Sequence, residues 1–134
     1  MYPNTFYRVS VKASITDNKG QILVVKENQD TWDLPGGGLD HGEAAVDGIK
    51  RELLEELGIV DIGKTIPYCV KTLYLEHKQA WLMWIVFRVE LNSLDFKLGN
   101  GVTDASFIDP KILKSSNDIY EKMVYEVASE INKK

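Results

Sequence analysis

The sequence predicts an α/β fold in which a mixed β-sheet lies between helical layers. Three observations predict it. Residues Tyr7 to Thr16 alternate with a period of two, residues from about Ala44 to Leu57 carry helical spacing, and a second helical pattern, Asp118 to Asn132, closes the chain. Strands interrupted by one central helix and closed by another pack as layers around a sheet.

Each element follows from its residues. Tyr7, Val9, Val11, Ala13 and Ile15 alternate with Arg8, Ser10, Lys12, Ser14 and Thr16, the periodicity of a strand. Asp17, Asn18, Lys19 and Gly20 supply a turn into a second strand, Gln21 to Lys26. Asn28 to Gly38 reads as loop. The helix from Ala44 to Leu57 is built mostly from good helix formers and has no proline. At about 100° per residue, Val46, Ile49, Leu53 and Leu57 share a buried arc, and Glu52, Glu55 and Glu56 an acidic one. Gly58 is an ordinary helix stop. Pro67 to Glu76 and Gln79 to Leu91 are two further strands, with Glu76, His77 and Lys78 at the hairpin tip. The second is apolar on both faces, so it reads as a central strand covered on both sides. Val102 to Ile108 is a last strand, and Ile119, Met123, Val127 and Ile131 give the closing helix its apolar face.

With 134 residues, of which 44% are hydrophobic, the chain suits one domain spanning residues 1–134. Its longest apolar stretches are far too short to span a bilayer, and MYPNTFYRVS lacks the apolar core of a signal peptide, so a cytoplasmic location is the default expectation. Cys69 is the sole cysteine and can form no internal disulfide; a packing role is expected of it. A net charge of −4 without a Lys/Arg cluster argues against nucleic acid or membrane as a partner. A homodimer is left open.

The chemistry concentrates in GGLDHGEAAVDGIKRELLEELGI, residues 37–59. Glu52 and Glu56 are an i,i+4 pair of like charges, which costs an isolated helix a few tenths of a kcal/mol. Arg51, four residues before Glu55, offsets one charge and leaves Glu52 and Glu56 without a local partner. A solvated acidic face is the bland reading. A divalent cation such as Mg²⁺, which takes oxygen ligands and shares its shell with substrate phosphates, is the functional one. Gly36 to Gly38 favour the latter, because a tight backbone turn there is expected to present its N–H and carbonyl groups beside the helix start. Gly48, inside the helix, costs about 1 kcal/mol relative to alanine and implies a close approach there.

Gly37, Glu43, Arg51, Glu52, Leu53, Glu55, Glu56, Gly58 and Ile59 stand at spacings that resemble, at every defined position, the Nudix box of the Nudix (MutT-like) hydrolases. Trp32, Leu34, Pro35 and Gly36 resemble the family's approach to the box. The resemblance implies a Nudix-like α/β/α sandwich and metal-dependent hydrolysis of a phosphoanhydride bond. It further implies that Glu52 and Glu56 ligate Mg²⁺ or Mn²⁺, that Glu55 joins them directly or through water, and that a carbonyl near Gly36 completes the site. Arg51 would orient the glutamates and Glu43 brace the loop; the alternative for both is a surface ion pair worth 0 to about 1 kcal/mol. Gly37 and Gly58 are structural positions of the motif.

The expected substrate is a small molecule, a nucleoside diphosphate linked to another group, with nucleoside triphosphates and their oxidised forms included. Two other readings stand beside it: a catalytically silent nucleotide-metabolite sensor, and an RNA 5′-end pyrophosphohydrolase, which the missing basic groove disfavours. Lys26, Arg8, Lys12, Gly37, Gly38 and Asp104 are candidate substrate contacts. Trp32, Tyr74, Trp81 and Trp84 could stack on a base, although aromatics in strands are more often core. His41 reads as a solvated loop residue and His77 as uninvolved. Residues 98–102, before the last strand, hold no carboxylate, with Asp95 and Asp104 flanking the gap, so the water-activating base is expected within the box, at Glu55.

Overall fold

The computed structural model describes residues 5–131. In chain order these form β1 (Tyr7–Ser14), β2 (Ile22–Glu27), β3 (Gly36–Gly38), α1 (Ala45–Leu57), β4 (Ile62–Leu75), β5 (Ala80–Leu91), β6 (Val102–Ile108) and α2 (Ile119–Ile131), with 3₁₀ turns at Glu76–Lys78 and Pro110–Leu113. Four strands make a mixed sheet in the order β3-β1-β5-β4, β1 running parallel to β5 and the other neighbours antiparallel. β2 and β6 pair separately as an antiparallel ribbon. Asn132, the expected end of α2, and the basic pair Lys133 and Lys134 lie outside the described residues.

Two cores hold the layers together. On one side, Ile49, Leu53 and Leu57 of α1 pack with Val11, Ala13, Phe87 and Val89 of the sheet. On the other, Met123, Val124, Val127 and Ala128 of α2 pack with Leu73, Leu75, Trp84 and Val86. β2 serves both, sending Ile22 and Val24 into the α2 core and Leu23 and Val25 into the α1 core. This is why its four apolar residues run without a polar interruption. β5 is central, between β1 and β4, as its apolarity on both faces implies. Cys69 is partly buried and unbridged.

The structure departs from the sequence reading in three places. Gly36–Gly38 is not loop but a short strand, its three residues opposite Lys12, Val11 and Ser10 of β1. Glycine's low strand propensity hides it. Val46 is 38% exposed, because the buried side of α1 comprises Gly48, Ile49, Glu52, Leu53, Glu56 and Leu57. The acidic and buried arcs are therefore not separate: Glu56 lies about 20° around the helix from Ile49. Finally, β4 begins at Ile62, five residues before the expected Pro67.

Helix α1 ends where its sequence dictates. Gly58 adopts φ 67° and its N–H bonds the Leu54 carbonyl, while Ile59 N–H reaches the Leu53 carbonyl, a paired closure that satisfies the last-turn acceptors. The segment before β6 completes the end, with Lys97 N–H on the Leu57 carbonyl and Gly99 N–H on that of Glu56. Within the helix, a Cβ on Gly48 would stand 2.6 Å from Leu39 Cδ1 and 3.1 Å from Glu43 Oε1. The bare backbone lets the preceding loop lie directly on the helix.

Candidate active site

The glycine strand is the hinge of the site. Gly36 has φ 134°, and a Cβ there would collide with the Val11 carbonyl. One on Gly37 would stand 2.8 Å from Glu52 Oε1, and one on Gly38 would strike the Arg8 guanidinium. Side chains here would push apart β1, the helix carboxylates and Arg8 together.

On the helix side, Arg51 gathers the acidic groups. Its Nε and Nη2 donate to the two oxygens of Glu43 at 2.8 and 2.9 Å, Nη1 donates to Glu52 at 3.0 Å and Glu55 at 3.3 Å, and Nη2 also reaches the Gly38 carbonyl. Asp40 adds a contact at 3.4 Å and its N–H donates to Glu43. These hydrogen bonds, from Arg51 first and Asp40 N–H second, hold the Glu43 carboxyl down at about 2. The guanidinium is bidentate and planar, a fit lysine cannot reproduce.

Glu56 is held differently. It is 2% exposed, its Oε1 accepts the Gly36 N–H at 2.8 Å, and no salt bridge within 4.0 Å reaches it among the described residues. Burial, then the neighbouring carboxyl of Glu27, pushes its pKa up to about 10. Glu52, 7% exposed, is also raised by burial, against the pull of Arg51. Glu55 is more open, its side chain 41% exposed, with only long contacts to Arg51 and, at 3.5 Å, to Asn100.

Across the glycine strand opens a cleft of about 550 Å³, walled by Arg8, Ser10, Lys12, Glu27, Asp33, Gly36, Gly37, Trp84 and Tyr120 among others. Lys12, 5% exposed, donates to Asp33 at 3.0 Å and to the Leu34 carbonyl at 3.2 Å. Burial opposes its charge, but Asp33 more than compensates and leaves its pKa raised. Its ammonium lies 5.1 Å from the Trp84 ring centre, and Tyr120 stacks against Trp84. The Trp84 indole N–H is buried without a hydrogen-bond partner.

The structure thus gathers Glu43, Arg51, Glu52, Glu55, Glu56, Gly36, Gly37, Gly38 and Arg8 at one place, and puts Lys12 on the cleft floor. Lys26 and Asp104 are opposite each other on β2 and β6, outside the cleft wall, with the Lys26 ammonium 4.4 Å over the Trp32 ring. Trp81 packs with Tyr7 and with Tyr74 on the opposite sheet face. His41 is exposed in the loop before α1. Asp33, His77, Tyr120 and Glu27 are cleft residues that the sequence reading did not place there. His77 lines the cleft rather than standing apart, because the hairpin tip folds over its rim. Tyr120 enters from α2. Glu27 was passed over beside Lys26; an acidic residue ending a strand carries no signal until its neighbours are known.

The donor set fits a hard divalent cation. Every candidate ligand is an oxygen, and the buried Glu56 carboxyl, pressed by Glu27, lacks a cationic partner. Among the described residues no three His, Cys, Asp or Glu side chains already converge on one point; Glu52 faces Arg51, and Glu56 faces Gly36.

The NUDIX domain model matches residues 6–126. The chain belongs to the Nudix family. An RNA pyrophosphohydrolase of Ruthia magnifica subsp. Calyptogena magnifica is 31% identical, over 91% of this chain and 82% of that protein. Another, of Vibrio atlanticus, is 41% identical over 92% and 86%. Among solved structures, a MutT protein from Methanosarcina mazei Go1 superposes with a TM-score of 0.71 at 26% identity, covering 96% of each chain. A NUDIX hydrolase from Nitrosomonas europaea superposes at 0.78 and 20% identity, over 96% and 90%, and shows the shared α/β sandwich. This Nudix hydrolase is accordingly an enzyme acting on pyrophosphate bonds. Nudix hydrolases act on small-molecule nucleotide substrates and generally use divalent metal ions such as Mg²⁺. No helix of the described residues is long and apolar enough to cross a membrane.

Proposed function

We propose that this Nudix hydrolase cleaves a phosphoanhydride bond in a nucleoside diphosphate linked to another group, nucleoside triphosphates and their oxidised forms included. The observation that carries this is the juxtaposition at Gly36 and Gly37: a buried carboxylate pair on one side, Glu52 and Glu56, and a nucleotide-sized cleft on the other.

Glu52 and Glu56 would hold Mg²⁺ or Mn²⁺, with the Gly36 carbonyl as a further oxygen donor and Glu55 joining directly or through water. Such a cation, when bound, neutralises charge on the phosphates and lowers the pKa of attacking water. Arg51 keeps Glu52 and Glu55 oriented, and Glu43 keeps Arg51 in place. Glu55, the least engaged of the box carboxylates, takes the proton from water. Arg8 and the Gly37 and Gly38 backbone meet substrate phosphates at the cleft mouth, Lys26 reaches them on release from Trp32, and Asp104, opposite Lys26 and outside the cleft wall, would contact a part of the substrate that extends beyond it. All four acidic positions of the box are present, which favours turnover over a silent sensor.

A second substrate reading rests on the relatives named as RNA pyrophosphohydrolases. The triphosphate end of an RNA offers the same bond, and Arg8, His77 and Lys78 line the open cleft. The test is a panel: nucleoside triphosphates, a nucleoside diphosphate sugar and a 5′-triphosphorylated oligoribonucleotide, each with Mg²⁺ or Mn²⁺ and with excess chelator. Metal-dependent release of nucleoside monophosphate from the small molecules is the expected result. Preference for the oligoribonucleotide would transfer the assignment to RNA ends. Full activity in chelator would end the metal-dependent mechanism.

A further inference from the structure

We propose that Glu27, outside the box and on the far side of the glycine strand, is an additional carboxylate that holds the divalent cation. This rests on the reading that Glu56 is a ligand.

The position of Glu27 is built by the backbone. The β2–β6 ladder runs regularly from Ile22↔Ile108 to Lys26↔Asp104, then slips, so that Glu27 pairs with Val102 and Thr103 is skipped. A bulge re-aims the side chain that follows it. Lys26 is turned toward Trp32, and Glu27 toward the helix, with its carboxyl within hydrogen-bonding reach of Glu56. Asn28 follows in the left-handed region at φ 55° and takes the chain away.

The loop after the bulge is tied at several points. Thr103 Oγ1 donates to the Lys26 carbonyl, Val25 and Asp33 exchange both backbone hydrogen bonds at 2.8 and 2.9 Å, and Trp32 N–H donates to Glu121 of α2 at 2.8 Å. A carboxylate on such a loop does not drift onto Glu56 by chance flexibility. Two carboxyl groups in contact, one of them buried, share a proton or a cation between them, and a hard divalent cation can take the place of that proton with both groups as oxygen ligands.

Among the carboxylates lining the cleft, Glu27 and Asp33, only Glu27 has no salt bridge; Asp33 is taken by Lys12. Glu27 therefore joins the two compartments that the function requires, touching the helix carboxylate on one side and the cleft on the other. The α1 carboxylates alone would hold the ion from one side. With Glu27, carboxylate oxygens for the ion would be available from the β2 side of the cleft as well as from α1, beside Gly36 and Gly37.

The test is Mn²⁺ binding to the whole protein, by calorimetry and by electron paramagnetic resonance of free Mn²⁺, together with melting temperature with and without Mn²⁺. Variants are Glu27→Gln, Glu27→Ala and, as a charge control in the same loop, the exposed Asp30→Asn. Both Glu27 variants should weaken Mn²⁺ binding by about tenfold or more, at least the loss seen on altering groups that only orient metal ligands. They should also gain less in melting temperature from Mn²⁺ than the wild type does, because weaker binding to the folded state stabilises it less. Asp30→Asn should bind as wild type does. Unchanged Mn²⁺ affinity in the Glu27 variants, with wild type binding and Glu56→Gln not, would overturn the role of Glu27 alone. A metal-free melting temperature lowered in both variants with affinity intact would make Glu27 a structural residue. No Mn²⁺ binding by wild type would overturn the metal reading and Glu27 with it.

Discussion

Of the cations beside the Gly36–Gly38 strand, Arg51 and Lys12 are held in opposite ways. Arg51 lies toward the surface on α1 and collects Asp40, Glu43, Glu52 and Glu55, all within a few turns of sequence. Lys12 is buried on β1 and depends on one carboxylate, Asp33, 21 residues away. The first cation has carboxylates in excess of its charge. The second is matched one to one. Between them Glu56 has no cation, only the Gly36 N–H and the neighbouring Glu27 carboxyl. The carboxyl groups are thus matched by a cation on the cleft floor and unmatched at the helix, and the unmatched side is where a divalent cation belongs, in place of the proton that burial holds on Glu56.

The largest effect is expected at Glu55. As the water-activating base it contributes a factor of about 10² to 10⁴, so Glu55→Gln should depress kcat by that much with little change in KM, and the acidic limb of the kcat profile should move or vanish. Asp104→Asn should mainly alter substrate preference. A Glu55→Gln enzyme at full rate, with Asp104→Asn or Asp95→Asn slowed a hundredfold, would move the base to the segment before β6.

Next comes the matched pair. Lys12→Met leaves Asp33 partly buried without its cation, a loss of about 3 kcal/mol, read as a lower urea midpoint. Adding Asp33→Asn should recover most of it. Equal stability of Lys12→Met and wild type would show that the pair contributes nothing net.

On the Arg51 side the effect is smaller and depends on pH. The Glu43 carboxyl is held at about 2 against its ordinary 4.5. A folded-state pKa below the unfolded one stabilises the fold above the unfolded value, and the contribution is lost as pH falls toward the folded one. Melting temperatures of wild type and Glu43→Gln should therefore differ fully above about pH 6 and converge between about pH 4.5 and 2. A gap constant down to the lowest pH at which both fold would contradict the Arg51–Glu43 assignment.

The smallest effect is at Lys26. Its ammonium rests on Trp32, a contact worth about 0.5–1 kcal/mol, and lies outside the cleft wall. Lys26→Ala should raise KM by about three- to tenfold and leave kcat alone. Unchanged kinetics would return the residue to the surface.

The contrast between the two cations also explains what the sequence made legible. Arg51, its partners and the stop at Gly58 are local on one helix and the loop before it, so spacing alone places them. Helices and most strands were legible because apolar periodicity is a local signal. Long-range approach is not. Strand Gly36–Gly38 exists because β1, Glu52 and Arg8 crowd a backbone with no side chains. Val46 is exposed because the core lies around the Glu56 side of α1. Glu27 and His77 join the cleft through a slipped register and a folded hairpin tip, neither of which residue type announces.

The most direct test of the central claim, that the buried Glu56 carboxyl, which lacks a cationic partner, is where a divalent cation binds, is the hydrolysis rate of Glu56→Gln across a Mg²⁺ titration. Gln keeps the shape and can still accept the Gly36 N–H, so the fold should persist while kcat falls a hundredfold or more, the scale of losing a major electrostatic stabiliser. The Mg²⁺ concentration for half-maximal rate should rise in parallel. A wild-type rate with an unchanged Mg²⁺ midpoint would contradict the assignment.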